Sequence, residues 1–100
     1  MEITIQNGTE GILAIFNGSL DTLASTTVEP QIKELEEKAS APITIDCKEL
    51  DYVASSGLRM LLRIRKASAA KGQKVTLLNV NDNIMEVLAI THFDKMFIIK

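Results

Sequence analysis

The chain has no tryptophan, one cysteine, one histidine and two prolines, and its only aromatic residues are three phenylalanines and one tyrosine. One cysteine, Cys47, excludes an internal disulfide, and a chain that folds without disulfides is expected in a reducing cytoplasm. With a single histidine and no clustered carboxylates at ligand spacing, no metal and no cofactor are expected. The chain also lacks a Gly-rich phosphate loop with a lysine and a Gly-x-Ser-x-Gly elbow, so no enzymatic activity is expected. The few aromatics are not interleaved with bases, which argues against a nucleic-acid surface. The longest plain apolar run, residues 12–16, is far short of the ~20 residues that span a bilayer, so no membrane insertion is expected. The first six residues contain no basic region followed by an apolar stretch, so no signal peptide is expected.

What the chain does have is a globular composition: 46% hydrophobic and 24% charged over 100 residues. That length and composition fit one domain over residues 1–100 with one core. The net charge of −2 hides an uneven distribution. Residues 1–54 carry ten acids and three bases, whereas residues 55–74 carry six bases (Arg59, Arg63, Arg65, Lys66, Lys71, Lys74) and no acid. A basic block of this kind is either a solvated helix face or a surface that meets an acidic or phosphate-bearing partner.

Hydrophobic periodicity gives the order β-β-α-β-α-β-α-β. Ile3-Thr4-Ile5 alternates, and Asn7-Gly8 is a hairpin signal. Residues 11–16 read as a buried strand, because nearly every position is apolar. Ala24, Val28, Ile32, Leu35 and Ala39 share a helical face, which suggests one helix over residues 22–38. Pro30 supports the alternative, a short turn at residues 21–25 and a helix capped near Thr26 or Thr27, where Thr26 and Glu29 have capping-box spacing. Ile43-Thr44-Ile45 reads as a strand, residues 46–51 as a polar connection and Tyr52-Val53 as a short extended piece. A second helix follows, over residues 56–70, with Leu58, Leu61, Leu62 and Ala69 on its apolar face and Gly72 at its end. Residues 74–78 form the next strand. Asn81 caps a third helix with Ile84, Val87, Leu88 and Thr91 on one face. His92 falls where a helix end favours Gly or Asn, and residues 96–99 form a last strand. Alternating strands and helices imply an α/β fold with one mixed, mostly parallel sheet and right-handed crossovers.

The functional interest lies at the start of the second helix. Serine is a preferred N-cap, and Ser55 is placed to fill that role. Ser56 would then be the first helical residue, with its hydroxyl free at the tip and no side chain beside it on Gly57. A free hydroxyl at a bare helix N-terminus is a good acceptor of phosphate, since exposed N–H groups and the helix dipole favour an anion there.

Three pieces of the chain, in order, resemble the STAS domain family, the bacterial anti-sigma factor antagonists. They are Gly18-Ser19-Leu20-Asp21-Thr22, Ala54-Ser55-Ser56-Gly57-Leu58 and Val87-Leu88-x-x-Thr91-x-Phe93. The resemblance spans nearly the whole chain. It implies a protein that binds an anti-sigma factor and is inactivated when that factor, itself a serine kinase, phosphorylates the serine before the glycine. That serine is Ser56 here, and a metal-dependent serine phosphatase would reverse the modification. Asp21 maps to the family's acidic residue near the phosphosite. The partner-binding surface implied is Asp21, Ala54, Ser55, Gly57, Arg59, Met60 and Arg63. Many members carry Asp where this chain has Ala54. Many also continue past the last strand into a helix, so one sheet face is expected to be less covered here, or covered by a partner. Other STAS domains dock on the ATPase of lipid-transporting membrane complexes, which is the alternative function the resemblance allows.

Overall fold

The computed structural model describes residues 1–100. Five strands and four helices follow one another as β1 (Glu2–Gly8), β2 (Gly11–Leu20), α1 (Thr22–Thr27), α2 (Glu29–Glu37), β3 (Ile43–Val53), α3 (Ser55–Ala70), β4 (Val75–Leu78), α4 (Asp82–Ile90) and β5 (Ile98–Ile99), with a 3-10 turn at Phe93–Lys95 before β5. The sheet order is β1-β2-β3-β4-β5; β1 and β2 are antiparallel and the other neighbours parallel. The fold is the expected α/β arrangement with a single mixed sheet.

Crossovers between parallel strands are right-handed, and here all three step across the sheet in the same direction, so the helices gather on one face. Burial agrees. Ile12, Ala14 and Phe16 of β2, Ile43, Ile45 and Cys47 of β3, and Val75 and Leu77 of β4 join Ile32, Leu35, Leu61, Ile64 and Leu88 from the helices in one core. The opposite face of the sheet, with Leu13, Ile15 and Leu78, is only half buried, and Ile98 on it is 39% exposed.

The hairpin turns at Thr9-Glu10, not at Asn7-Gly8, with Gly8 paired to Gly11. This later turn gives a seven-pair ladder and sets Ile3 opposite Phe16 and Ile5 opposite Ala14. Cross-strand apolar pairing over the core outweighs the local turn preference of Asn-Gly.

Residues 46–51 are not a loop, because β3 runs unbroken for 11 residues. Two bulges hide the strand from periodicity. Between the Ile15–Asp46 and Asn17–Glu49 pairs β3 advances three residues against two in β2, and between Gly18–Leu50 and Ser19–Tyr52 it advances two against one. Each extra residue shifts the inward phase by one. The buried positions therefore run 43, 45, 47, then 50, then 53.

The first helix is broken at Val28, with α1 before it and α2 after it. Pro30 lacks the N–H that would have closed a bond to the Thr26 carbonyl, and its ring crowds that carbonyl. The capping box does not form, since the Thr26 hydroxyl donates to the Leu23 carbonyl (2.8 Å) and no side chain caps α2. Ala24, Val28, Ile32, Leu35 and Ala39 are nevertheless all buried, so the break preserves the expected face.

In α3 the buried residues are Gly57, Leu58, Leu61, Ile64 and Ser68, while Leu62 is half buried and Ala69 exposed. The core face thus lies about one position away from the expected one. At the end of α4, His92 takes the left-handed conformation (φ 62°) and Asn81 caps the start by accepting from the Ile84 N–H. On the α4 face, Ile84 and Leu88 are buried, Val87 is half buried and Thr91 is exposed. The last strand is short, Ile98–Ile99, because the 3-10 turn occupies the residues before it.

Candidate functional site

The carboxyl ends of β2 and β3 lie side by side, with Leu20 paired to Val53. In parallel α/β sheets this edge, where loops leave the strands, is the usual place for a functional site. The segments that leave it are Asp21-Thr22, opening α1, and Ala54-Ser55-Ser56, opening α3. The Ala54 N–H donates to the Leu20 carbonyl at 2.9 Å, which ties the start of α3 to the end of β2.

That tether decides where α3 begins. Ala54 is extended (φ −83°, ψ 173°) and is itself the N-cap, with no side chain to bond the first turn. Ser55, expected as the cap, is instead the first helical residue and Ser56 the second. The N–H groups of Ser55, Ser56 and Gly57 precede the first intrahelical bond, Leu58 N–H to the Ala54 carbonyl at 2.9 Å, and find no backbone acceptor. A helix start left open in this way has donors and a positive dipole end available for an anion.

The Ser56 hydroxyl lies 3.4 Å from Thr22 Oγ1. This exceeds the usual O–H···O range of about 2.5–3.0 Å, so neither hydroxyl is taken up by the contact. Asp21 does have a structural duty: its Oδ1 accepts from the Ala24 N–H at 2.8 Å and caps α1, while its side chain stays exposed. A hollow of about 580 Å³ beside it is lined by Met1, Ser19, Asp21, Leu23, Ala24 and Thr27.

Gly57 is buried rather than open beside Ser56. A Cβ built there would sit 2.5 Å from the Leu20 carbonyl oxygen and 2.8 Å from Leu20 Cγ, so the glycine serves close packing of α3 on β2.

Of the bases on α3, Arg59 is exposed and makes no ion pair. Arg63, expected to face the partner, is engaged within the fold. Its Nη1 is 2.7 Å from Glu29 Oε2 and its Nη2 is 2.6 Å from Glu36 Oε1, so it clamps α3 to α2. Its hydrogen bond holds the Glu29 carboxyl below the usual carboxylate range, and the two carboxylates raise the Arg63 pKa in turn. Met60 is half buried and touches the same guanidinium, with Sδ 3.6 Å from Nη1. Cys47 is buried, and burial with the neighbouring Asp46 pushes its thiol up to about 12, which leaves it protonated and inert at neutral pH.

Sequence reasoning missed three residues at this edge. Thr22 meets Ser56 only because two strand ends are adjacent. Leu23, which lines the hollow beside Asp21, is 76% exposed, and Tyr52, next to last in β3 and paired with Ser19, is 54% exposed. Leu23 was detectable as the apolar residue of α1 that falls off the buried face. Tyr52 was hidden by the second bulge of β3.

The chain is thus a two-layer α/β domain with a small-residue helix start at the carboxyl edge of its sheet. The chain belongs to the STAS domain family, whose model matches residues 1–100. It is 23% identical over 97 residues to BtrV of Bordetella bronchiseptica, named provisionally as an anti-sigma factor antagonist, covering 97% of this chain and 84% of that protein. A crystal structure from Thermotoga maritima, likewise provisionally named, has a TM-score of 0.85 at 16% identity, covering 97% and 84% of the two chains. The anti-sigma factor antagonist SpoIIAA in its unphosphorylated form has a TM-score of 0.75 at 18% identity, covering 99% and 87%. The phosphorylated form of the Bacillus protein has a TM-score of 0.73 at 17% identity, covering 99% and 91%. At these identities the common property is the fold.

Proposed function

We propose that this protein is an anti-sigma factor antagonist that works by partner switching. Unphosphorylated, it binds an anti-sigma factor that is also a serine kinase. Phosphorylation of Ser56 releases it, and a serine phosphatase restores the binding form. The observation that carries this reading is the Ser56 hydroxyl: second residue of α3, at the joined ends of β2 and β3, beside the start of α1 and with no strong internal partner. The names of BtrV and SpoIIAA support the role, and the existence of SpoIIAA in a phosphorylated form supports the switch. Asp21, Leu23, Ala54, Ser55, Ser56, Arg59 and Met60 form the contact surface, while Gly57 and Arg63 hold it in position.

The physics of the switch is local. A phosphoserine adds roughly −1.5 to −2 charges and three strong acceptors. On this protein the phosphate meets unpaired N–H donors and a favourable dipole, so the fold is kept. Within a packed interface the same group must be desolvated and takes up space left by Ala54 and Ser56. A penalty of a few kcal/mol suffices, because each ~1.4 kcal/mol is tenfold in affinity.

The test is incubation with the cognate kinase and ATP, followed by site mapping by mass spectrometry and calorimetric titration of Ser56→Ala and Ser56→Asp with the anti-sigma factor. Phosphate on Ser56 alone, tight binding by Ser56→Ala and weak binding by a folded Ser56→Asp are expected. Phosphate on Ser55, or parent-like binding by Ser56→Asp, overturns the reading.

A further inference from the structure

The other end of α3 carries a second feature, about 20 Å along the helix from Ser56 at 1.5 Å per residue. A cleft of about 370 Å³ opens between the last turns of α3, the start of β4 and the segment joining the 3-10 turn to β5. Its size falls in the range of small-molecule sites, which begins at about 300 Å³. Buried Val75 and Phe97 lie at its base and Met96, 38% exposed, beside them. Three cations line it, Arg65, Lys74 and Lys95, and no acid does.

None of the three cations makes an ion pair, in contrast to Arg63 on the same helix, whose charge is neutralised twice. Arg65 is oriented by its Nε bond to the Met96 carbonyl (3.3 Å), which leaves its two Nη groups without a protein acceptor. The carboxyl end of α3 brings about half a negative charge to this place. Asp94, next to Lys95 in sequence, brings one more. Against three full positive charges the cleft remains net positive.

Cations converging without counter-charges over an apolar floor complement a ligand that is anionic at one end and apolar at the other. We propose that this cleft binds a small anionic amphiphile, an alkyl chain of moderate length with a phosphate or carboxylate head. The chain would lie on Val75, Met96 and Phe97, and the head would meet Arg65, Lys74 and Lys95. The proposal is independent of the Ser56 switch, since the two places share no residue.

Titration of the isotope-labelled protein with octyl phosphate, octanoate, octanol and inorganic phosphate, below micellar concentrations, tests it by NMR. Saturable shifts at Val75, Met96 and Phe97 with octyl phosphate or octanoate, and at most weak shifts with octanol and inorganic phosphate, are expected. Which of the two amphiphiles binds tighter identifies the head group. The double variant Lys74→Gln with Lys95→Gln, both exposed side chains, should keep the parent's melting temperature and bind about tenfold or more weakly, as loss of charge-assisted bonds implies. Equal binding of octanol, binding of inorganic phosphate alone, or an unchanged affinity in the double variant overturns the proposal. So does association with anionic lipid vesicles without saturable binding of either single amphiphile, which would make the cations a membrane-surface patch.

Discussion

Gly57 and Leu20 approach so closely that α3 begins in contact with the backbone of β2: a Cβ on Gly57 would lie 2.5 Å from the Leu20 carbonyl oxygen. A backbone carbonyl cannot rotate aside as a side-chain tip can, so a methyl group here must move the helix. Helix propensity favours alanine over glycine by about 1 kcal/mol, and the clash opposes it with about 1–3 kcal/mol or more. Gly57→Ala should therefore destabilise the fold, by up to about 2 kcal/mol, and should shift Ser56 away from Thr22. Urea unfolding measures the first effect and NMR shifts of Thr22 the second. A variant as stable as the parent would mean that the packing is looser than described.

The start of α3 has a vacancy that a single substitution can fill. Ala54 already has the extended backbone of an N-cap but no oxygen to offer the open N–H groups. Ala54→Asp should stabilise the protein by about 1 kcal/mol, the usual worth of such a cap. Ala54→Asn supplies the hydrogen bond without the charge, so the difference between the two melts isolates the dipole contribution. Unchanged melting in both variants would contradict an uncapped helix.

Arg63 joins α3 to α2 through Glu29 and Glu36. All three side chains are partly exposed, so solvent screening keeps the effect small. Arg63→Ala should lower the melting temperature by a few degrees at neutral pH. Glu29 has a depressed pKa in the folded state. Its contribution is therefore present above the ordinary carboxylate range and is lost as pH falls through the depressed value. The gap between parent and Arg63→Ala should narrow in acid, and thermal melts across the acid range check it. A gap that widens in acid would show that the ion pairs are not its source.

Arg59 is the exposed, unpaired base nearest Ser56 on α3. Exposed charges act mainly on encounter rates. Arg59→Glu should slow association with the anti-sigma factor and flatten its salt dependence, with circular dichroism unchanged. Stopped-flow association at several ionic strengths is the measurement. Equal rates at low salt would make Arg59 an ordinary solvated residue.

Much of this was readable in the chain. The apolar spacing of Ala24, Val28, Ile32, Leu35 and Ala39 gave the core face of α1 and α2 even though the helix breaks among them. Asn81 marked the start of α4 because its side chain suits a cap, and the position of His92, where a helix end favours Gly or Asn, does take the left-handed conformation. Residues 46–51 misled, since bulges remove the two-residue period by which a strand is recognised. Ser55 misled as well, because a side chain's capping preference of about 1 kcal/mol is weaker than the tertiary bond from Ala54 to Leu20 and the packing it accompanies.

Sequence alone determined the class of fold, the order of its elements and the presence of a hydroxyl beside a glycine at a helix start, because these follow from local preference and hydrophobic period. Tertiary structure decided that Ala54 rather than Ser55 takes the cap position, that Thr22 lies beside Ser56 from 34 positions away, that Gly57 is there for packing, and that Arg63 is neutralised while Arg65, Lys74 and Lys95 are not. Those outcomes depend on which strand ends are neighbours and on which carboxylates come within reach of a guanidinium. Both are set by long-range register, which no local pattern encodes.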